Sequence, residues 1–174
     1  MRIIAGQWRG RRIEAPPGEL VRPTRDRIRE AWMSIVHHDL PDARVLDLCA
    51  GSGALGLEAL SRGASQVDFV EQSPRALNAL RANLDRLGGH PGAAIHRDEA
   101  VRWVEACAAG HYDVAFADPP YDSDVAEALV RRWLEVPFAH RLGIEHAASR
   151  PLPPGGTTRR YGTTALTFYR SPTT

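Results

Sequence analysis

Four consecutive residues, Asp118-Pro119-Pro120-Tyr121, place a carboxylate, two stiff prolines and an aromatic ring directly after an apolar run at residues 112–117. Proline fixes its own φ and restricts the residue before it, so the Pro119 carbonyl points in a set direction. The Asp118 carboxylate and this carbonyl can together accept both hydrogens of an exocyclic amino group, while the Tyr121 ring offers a stacking face. The pattern predicts chemistry on the amino group of a flat base, although Asp and Pro also form ordinary strand-ending turns.

A glycine-rich loop follows an earlier apolar run at residues 44–49, within which Asp47 lies. Glu71 ends the next apolar run, at a spacing that suits an acid bound to a ribose. A nicotinamide-dependent oxidoreductase would show a similar loop, but it usually carries a separate substrate domain, so a methyl donor fits this chain better. Three small residues of the loop let a ligand approach the backbone: Ala50, Gly51 and Gly53.

Apolar runs of strand length alternate with segments of helical periodicity, which predicts an α/β fold with parallel strands and right-handed crossovers. Ligands bind such sheets at the carboxyl ends of the strands, where the strand order reverses. Residues 157–161 and 165–169 instead predict a closing antiparallel hairpin. The other expected strands are 44–49, 66–71, 93–96, 112–117 and 142–146, and the expected helices include 54–62, 74–87 and 123–135.

The composition predicts one globular domain spanning residues 1–174, with 1–40 as an N-terminal extension and 41–174 as the catalytic core. No stretch approaches the roughly 18 apolar residues of a membrane span. Two cysteines cannot build a disulfide framework, and the N-terminus lacks an apolar signal core, so we expect a cytoplasmic protein. No spacing of histidines and cysteines suits a metal, and none is expected.

Charge is distributed unevenly, although the net charge is only +1. Residues 1–32 carry eight arginines against four acidic residues, whereas the remainder carries fourteen against seventeen. This asymmetry predicts that the N-terminal extension binds nucleic-acid phosphates. The extension is expected to be a hairpin followed by a helix. Trp8 lies among its arginines, where it can stack on a base, pack into the core, or do both.

Residues 47–64, Glu71 and the Asp118-Pro119-Pro120-Tyr121 turn resemble the S-adenosylmethionine-dependent methyltransferases that modify amino groups. The segments 1–12 and 22–30 further resemble the start of the RsmD family, and the likeness extends over nearly the whole chain. The resemblance implies a class I (Rossmann-like) methyltransferase. Its sheet would be seven-stranded and mostly parallel, with an antiparallel final strand and an N-terminal hairpin-helix extension.

That family methylates N2 of a guanine in small-subunit (16S) ribosomal RNA, which implies this activity, S-adenosylmethionine as the cofactor, and an assembling 30S particle as the partner of a monomeric enzyme. The implied catalytic residues are Asp118, Pro119 and Tyr121. Asp98 matches a position that contacts the adenine amino group, or it caps a helix. The implied cofactor-binding residues are Asp47, Ala50, Gly51, Gly53, Glu71 and Asp98, and the implied RNA-binding residues are Arg2, Trp8, Arg9, Arg11, Arg12, Arg22 and Arg25.

Three other functions stay open at this point. An amino methyltransferase could act on adenine N6, cytosine N4 or a protein glutamine, although such enzymes frequently have asparagine where this chain has Asp118. A Rossmann oxidoreductase would bind NADH instead of the methyl donor. A nonenzymatic assembly factor would bind ribosomal RNA through the arginines and transfer no methyl group.

Overall fold

A computed structural model describes residues 1–19 and 23–172 of the chain, and the expected RNA contact Arg22 lies outside these ranges. Its strands are β1 (Arg44–Leu48), β2 (Gln66–Glu71), β3 (Ala93–Arg97), β4 (Tyr112–Ala117), β5 (Ala139–Ala147), β6 (Thr157–Tyr161) and β7 (Thr164–Arg170). They form one seven-stranded sheet in the order β3-β2-β1-β4-β5-β7-β6. Strands β1 to β5 are parallel, and β7 runs antiparallel to both neighbours, so the predicted fold class is confirmed.

Helices cover both faces of this sheet and give it two apolar cores. On one face lie three helices: α1 (Pro23–Val36), α2 (Ala54–Ser61) and α3 (Pro74–Arg86). On the other face lie two: α4 (Ala100–Glu105) and α5 (Val125–Glu135). The helix expected from residue 123 begins two residues later, since the Ser123 hydroxyl donates a hydrogen bond to the Pro120 carbonyl at 2.7 Å and holds a turn there.

The N-terminal hairpin forms only in part, as a single antiparallel bridge between Arg2 and Arg12 with no regular strand on either side. Backbone hydrogen bonds join its two arms, from the Ile3 amide to the Arg11 carbonyl at 2.9 Å and from the Gly10 amide to the Ile3 carbonyl at 2.8 Å, and the segment also bonds to helix α2. The fully buried Glu58 accepts hydrogen bonds from the amides of Ile4 and Ala5, and Ser61 Oγ accepts one from the Trp8 amide at 3.0 Å.

Trp8 is a core residue, which corrects its expected role in stacking on RNA. Only 7% of its surface is exposed, and its ring meets His90 edge to face with centroids 5.9 Å apart. The segment that carries Trp8 approaches helix α2 closely, and this requires glycine at position 6. Gly6 has a φ of +84°, and a Cβ atom there would lie 1.7 Å from the Ser61 carbonyl oxygen. The ring therefore has no free face for a base.

Strand order reverses between β1 and β4, and the parallel register aligns the residues that follow each strand. Leu48 pairs with Val70 on β2 and with Ala117 on β4, and Ala117 pairs in turn with Ile144 on β5. One position further along, Glu71, Cys49, Asp118 and Glu145 therefore lie in a row at the carboxyl edge of the sheet. Asp118 and Glu145 follow neighbouring strands about 4.8 Å apart, whereas Cys49 separates Glu71 from Asp118. The fold thus gathers acidic side chains at its switch point.

Candidate active site

A cavity of about 1190 Å³ opens at this switch point. The glycine loop and Glu71 form one side of it, and the Asp118 turn forms the other. Residues 15–19 and Arg25 of the N-terminal extension also line it, so the extension contributes directly to the site. The sequence-predicted catalytic and cofactor residues Asp47, Ala50, Gly51, Glu71, Asp98, Asp118, Pro119 and Tyr121 all line this cavity, whereas Gly53 lies buried behind it.

The turn that carries Asp118 and Tyr121 leaves its acceptors free. Among the described residues, no group donates a hydrogen bond to the Asp118 carboxylate or to the Pro119 carbonyl. Arg150 fixes the following loop, because its Nη1 donates to the carbonyls of Tyr121 at 3.0 Å and Ser123 at 3.1 Å. Two acceptors on a fixed turn therefore face the cavity, ready for the hydrogens of a bound amino group.

Burial is the largest factor that raises the pKa of Asp118, to about 7, and the negative charge of Glu145 raises it further. The Asp118 side chain is accessible from the cavity, while protein atoms surround it closely on the other sides. Arg25 opposes the shift, but that guanidinium is itself paired with Glu19 at 3.4 Å. The carboxyl group is consequently poised to change its charge near neutral pH.

Glu71 holds the glycine loop in place. Its Oε2 accepts a hydrogen bond from the Gly51 amide at 2.8 Å, and its Oε1 accepts one from the Ser73 amide at 2.8 Å. Each carboxylate oxygen has a second lone pair, so Glu71 can still accept two hydroxyl groups. Gly51 and Gly53, with φ of +59° and +82°, supply the left-handed backbone that turns the loop from β1 into α2.

Asp47 lies on β1 and is 1% exposed. Burial is the main factor that raises its pKa well above the usual value, and the charges of Asp118 and Glu71 add to the effect. The hydrogen bond that its Oδ2 accepts from the Gly56 amide at 2.9 Å acts in the opposite sense. Gly56 permits this contact, because a Cβ atom there would lie 2.3 Å from the Phe69 ring.

Asp98 lies just after β3 at the rim of the cavity. It does not cap helix α4, because its Oδ1 accepts from the amide of Glu99, which precedes the helix, and from Arg102 Nε, both at 2.7 Å. These hydrogen bonds, the one from Glu99 being the larger contribution, lower the pKa of Asp98. The carboxylate is therefore ionised and available at the cavity wall.

Cys49 lines the cavity, and its chemistry is that of an inert thiol. Burial, with added repulsion from Glu71 and Asp118, raises the pKa of Cys49 to about 12.

Within residues 1–19 and 23–172, no group of three His, Cys, Asp or Glu side chains could hold a metal ion. In the same ranges, no helix is long and apolar enough to cross a membrane.

Some N-terminal arginines form hydrogen bonds to the protein backbone, whereas others do not. Arg2 Nη1 donates to the Gly10 carbonyl at 2.8 Å, and Arg11 donates to the carbonyls of Leu87 and Arg86 at the end of α3. Arg9 and Arg12 are exposed, and no described residue forms a hydrogen bond or ion pair with either side chain. Their guanidinium groups are thus accessible for phosphates.

Asn83 is a positioning residue that the sequence analysis missed. It is fully buried on α3, where its Nδ2 donates to the carbonyls of Glu14 at 2.8 Å and Ser52 at 3.0 Å. The N-terminal extension and the glycine loop are thereby joined through one amide. A signal was present, since Asn83 continues the apolar stripe of Ala76, Leu77 and Leu80 on a core-facing helix.

Comparison with known proteins agrees with this geometry. A family model described as conserved hypothetical protein 95 matches residues 1–151. The ribosomal RNA small subunit methyltransferase D of Haemophilus influenzae is 34% identical over 179 residues, which cover 98% of this chain and 92% of that protein. The solved structure of yhhF from Escherichia coli superposes with a TM-score of 0.82 at 31% identity, covering 98% of this chain and 97% of that one.

A more distant structure shares the fold alone. The Thermus thermophilus 16S rRNA N2 methyltransferase RsmC, solved with AdoMet and guanosine, superposes with a TM-score of 0.68 at 19% identity. The match covers 95% of this chain and 46% of that one. The order of the strands, with antiparallel β7 inserted between β5 and β6, is therefore that of the class I methyltransferases.

This chain belongs to the conserved hypothetical protein 95 family, the RsmD family, as its sequence resemblance indicated. It is an enzyme of the methyltransferase class. The antiparallel β7, inserted between β5 and β6, departs from the strand order 3-2-1-4-5-6 of the mostly parallel dinucleotide-binding sheet. Together with the methyltransferase relatives, this strand order favours a methyltransferase over the oxidoreductase alternative.

The electrostatics of Asp47 yield a first prediction. Because its pKa is raised in the folded state, stability should fall as pH rises from the unfolded-state pKa of about 3.9 toward the folded value. Asp47→Asn keeps an acceptor for the Gly56 amide and removes the buried charge. We expect the variant to melt at a higher temperature than wild type near pH 8, with a gain of about 1 kcal/mol or more, and to lose this advantage near pH 4.

Thermal melts followed by circular dichroism at the two pH values measure the effect. Asp85→Asn, at a site on the surface of α3, is the control for the chemical change alone. An Asp47→Asn variant that is less stable than wild type near pH 8 would show that the buried charge of Asp47 does not destabilise the fold.

Proposed function

We propose that this enzyme transfers the methyl group of S-adenosylmethionine to the exocyclic N2 amino group of a guanine in small-subunit (16S) ribosomal RNA. The observation that carries the proposal is that Glu71, Asp118 and Glu145 line one cavity. The part of the cavity near Glu71 is called the donor half, and the part near Asp118 is called the acceptor half. The naming of the Haemophilus influenzae relative as a ribosomal RNA small subunit methyltransferase supports the choice of substrate.

The donor half of the cavity suits S-adenosylmethionine chemically. Glu71 can accept both ribose hydroxyls, Asp98 can accept from the adenine amino group, and Gly51 and Gly53 let the ligand approach the loop. The raised pKa values of Asp47 and Asp118 mark a site where negative charge lacks a partner. A sulfonium cation supplies that partner, together with an electrophilic methyl group.

The acceptor half holds and orients the base. Asp118 and the Pro119 carbonyl accept the two amino hydrogens, which turns the nitrogen lone pair toward the methyl group, and Tyr121 stacks on the ring. A nitrogen–carbon bond forms as the carbon–sulfur bond breaks, and the sulfur keeps the electron pair. The amino proton becomes acidic only after attack, so Asp118 stabilises the developing positive charge and can then accept the proton.

The N-terminal extension, residues 1–40, is proposed to bind the RNA. Arg9, Arg12 and Arg25 are exposed on it, and Arg25 lines the cavity itself. Because the segment is anchored to α2 through Glu58 and Ser61, a phosphate held there has a fixed position relative to Asp118. In this proposal the enzyme acts as a monomer in the cytoplasm, on ribosomal RNA within an assembling 30S particle.

Label transfer tests the proposed reaction. Methyl-labelled S-adenosylmethionine is incubated with the enzyme and either deproteinised ribosomal RNA or small subunits from cells lacking the enzyme, and the product is digested and mapped by mass spectrometry. We expect N2-methylguanosine at one position. Label at adenine N6, at cytosine N4 or in a ribosomal protein would replace the proposed substrate, and binding of RNA without label would indicate an assembly factor.

Asp118→Asn is predicted to separate binding from turnover. The amide retains the volume of the carboxylate but loses its charge, so the rate of methyl transfer should fall by about 10²-fold or more. Binding of S-adenosylhomocysteine, which lacks the sulfonium charge, should change by less than about threefold in calorimetry. A variant that loses thioether binding as severely as turnover would place Asp118 in the donor half.

The exposed arginines should govern the salt dependence of RNA binding. Each phosphate contact contributes about 0.7 to 0.9 to the slope of log affinity against log salt, so the double variant Arg9→Ala, Arg12→Ala should reduce that slope by about 1.4 to 1.8. Fluorescence anisotropy with deproteinised small-subunit RNA at several salt concentrations measures it. Arg131→Ala, on α5 across the sheet, is the matched control and should leave the slope unchanged.

Arg11→Ala should behave differently, because the Arg11 guanidinium is bonded to the end of α3. We expect a lower melting temperature with little change of slope. A double variant of Arg9 and Arg12 with the wild-type slope would remove these two residues from the RNA interface.

A further inference from the structure

Glu145 is an acidic residue of the cavity that the proposed transfer step does not use. It lies on β5, half-buried, one position beyond the Ala117–Ile144 pair of the parallel ladder. That register places it beside Asp118 on the same edge of the sheet, and its side chain lines the same cavity. Two carboxylates therefore face the space in which the acceptor base would lie.

The Tyr121 hydroxyl fixes one of the Glu145 oxygens. It donates to Glu145 Oε1 at 2.5 Å and lies 3.0 Å from Thr164 Oγ1. Burial and this hydrogen bond both raise the pKa of Tyr121, so the phenol keeps its proton and Glu145 acts as the acceptor. Among the described residues, no group donates to the second oxygen, Oε2.

Within residues 1–19 and 23–172, no basic side chain forms a hydrogen bond or ion pair with either of these carboxylates. Arg150 is engaged by the carbonyls of Tyr121 and Ser123 and by Asp124, and Arg25 is paired with Glu19. Two neighbouring carboxylates without a cation disfavour each other's charged form, and a ligand that brings hydrogen-bond donors relieves this repulsion. The Oε2 atom of Glu145 and the carboxylate of Asp118 can therefore accept hydrogen bonds from a ligand that has two adjacent donors.

Guanine has such a pair of donors, because its ring N1–H lies next to its N2 amino group. Adenine and cytosine also carry an amino group, but the ring nitrogen next to it is an acceptor, which a carboxylate repels. We propose that Glu145 is the residue that selects guanine, an inference that rests on the proposed function. Its Oε2 accepts a hydrogen bond from the guanine N1–H, while Asp118 accepts one from an amino hydrogen. Tyr121 then has two roles, since it stacks on the base and orients Glu145.

The test uses a base that differs at the edge Glu145 would read. 2-Aminopurine keeps the amino group at the same ring position, but its N1 is an acceptor and it lacks the guanine O6. The substrate is a small-subunit RNA fragment in which the guanine mapped by label transfer is either retained or replaced by 2-aminopurine. The readout is the ratio of kcat/KM for the two RNAs, determined for wild type and for Glu145→Gln.

Glutamine has the volume of glutamate and can offer its amide N–H to the 2-aminopurine N1. We therefore expect wild type to prefer guanine and Glu145→Gln to reduce this preference by about tenfold or more. The loss of O6 affects both enzymes alike and cancels in the comparison. Tyr121→Phe removes the hydroxyl that orients Glu145 but keeps the carboxylate, so we expect it to reduce the preference for guanine less than Glu145→Gln does.

Equal losses of Glu145→Gln on both RNAs, with an unchanged ratio, would overturn the proposal and leave Glu145 as a support for Tyr121. If turnover of the variant is too slow to follow, competition binding of the two RNAs measures the preference in the ground state, and the same change between wild type and variant is expected there. Failure of the proposed function is a separate result, because wild type would then transfer no methyl group to the RNA that carries guanine.

Discussion

The gathering of carboxylates along one edge of the sheet is the constraint on which the site depends. Parallel strands bring their carboxyl ends together, so Glu71, Asp118 and Glu145 meet at one cavity, with Asp47 just behind them. Burial is the main factor that raises the pKa of Asp47 and of Asp118, and the negative charges of neighbouring carboxylates raise both further. A cationic methyl donor and a base with amino hydrogens relieve the repulsion, so the proposed reaction and the electrostatics of the cavity have the same origin.

The features that sequence could predict are those set by local chemistry. The fold class followed from the alternation of apolar strands and amphipathic helices, and it was confirmed down to the antiparallel β7. Asp118, Pro119 and Tyr121 line the cavity as expected, because a strand followed by two prolines has few ways to turn. Glu71 ends β2 as expected, and because the strands are parallel its side chain lies at the same edge of the sheet as Asp118.

The features that sequence could not predict depend on partners far along the chain. Trp8 is buried because Ser61, 53 residues away, binds its amide, and no local pattern distinguishes that from an exposed stacking ring. Asn83 joins Glu14 to Ser52 only after α3 has packed against the sheet. The Arg11 guanidinium likewise donates to carbonyls at the end of α3, a contact with residues far along the chain. The count of arginines in the sequence does not distinguish such bonded side chains from those without a protein partner.

Donor binding as a function of pH tests the anionic cavity most directly. S-adenosylmethionine carries a sulfonium charge that S-adenosylhomocysteine lacks, so the ratio of their affinities isolates the electrostatic contribution of the cavity. As Asp118 ionises between about pH 6 and about pH 8, we expect the affinity for the charged donor to rise several-fold relative to the thioether, and Asp118→Asn to abolish that rise. A ratio in calorimetry that stays constant over this range in wild type would contradict the claim that the carboxylate edge binds the donor.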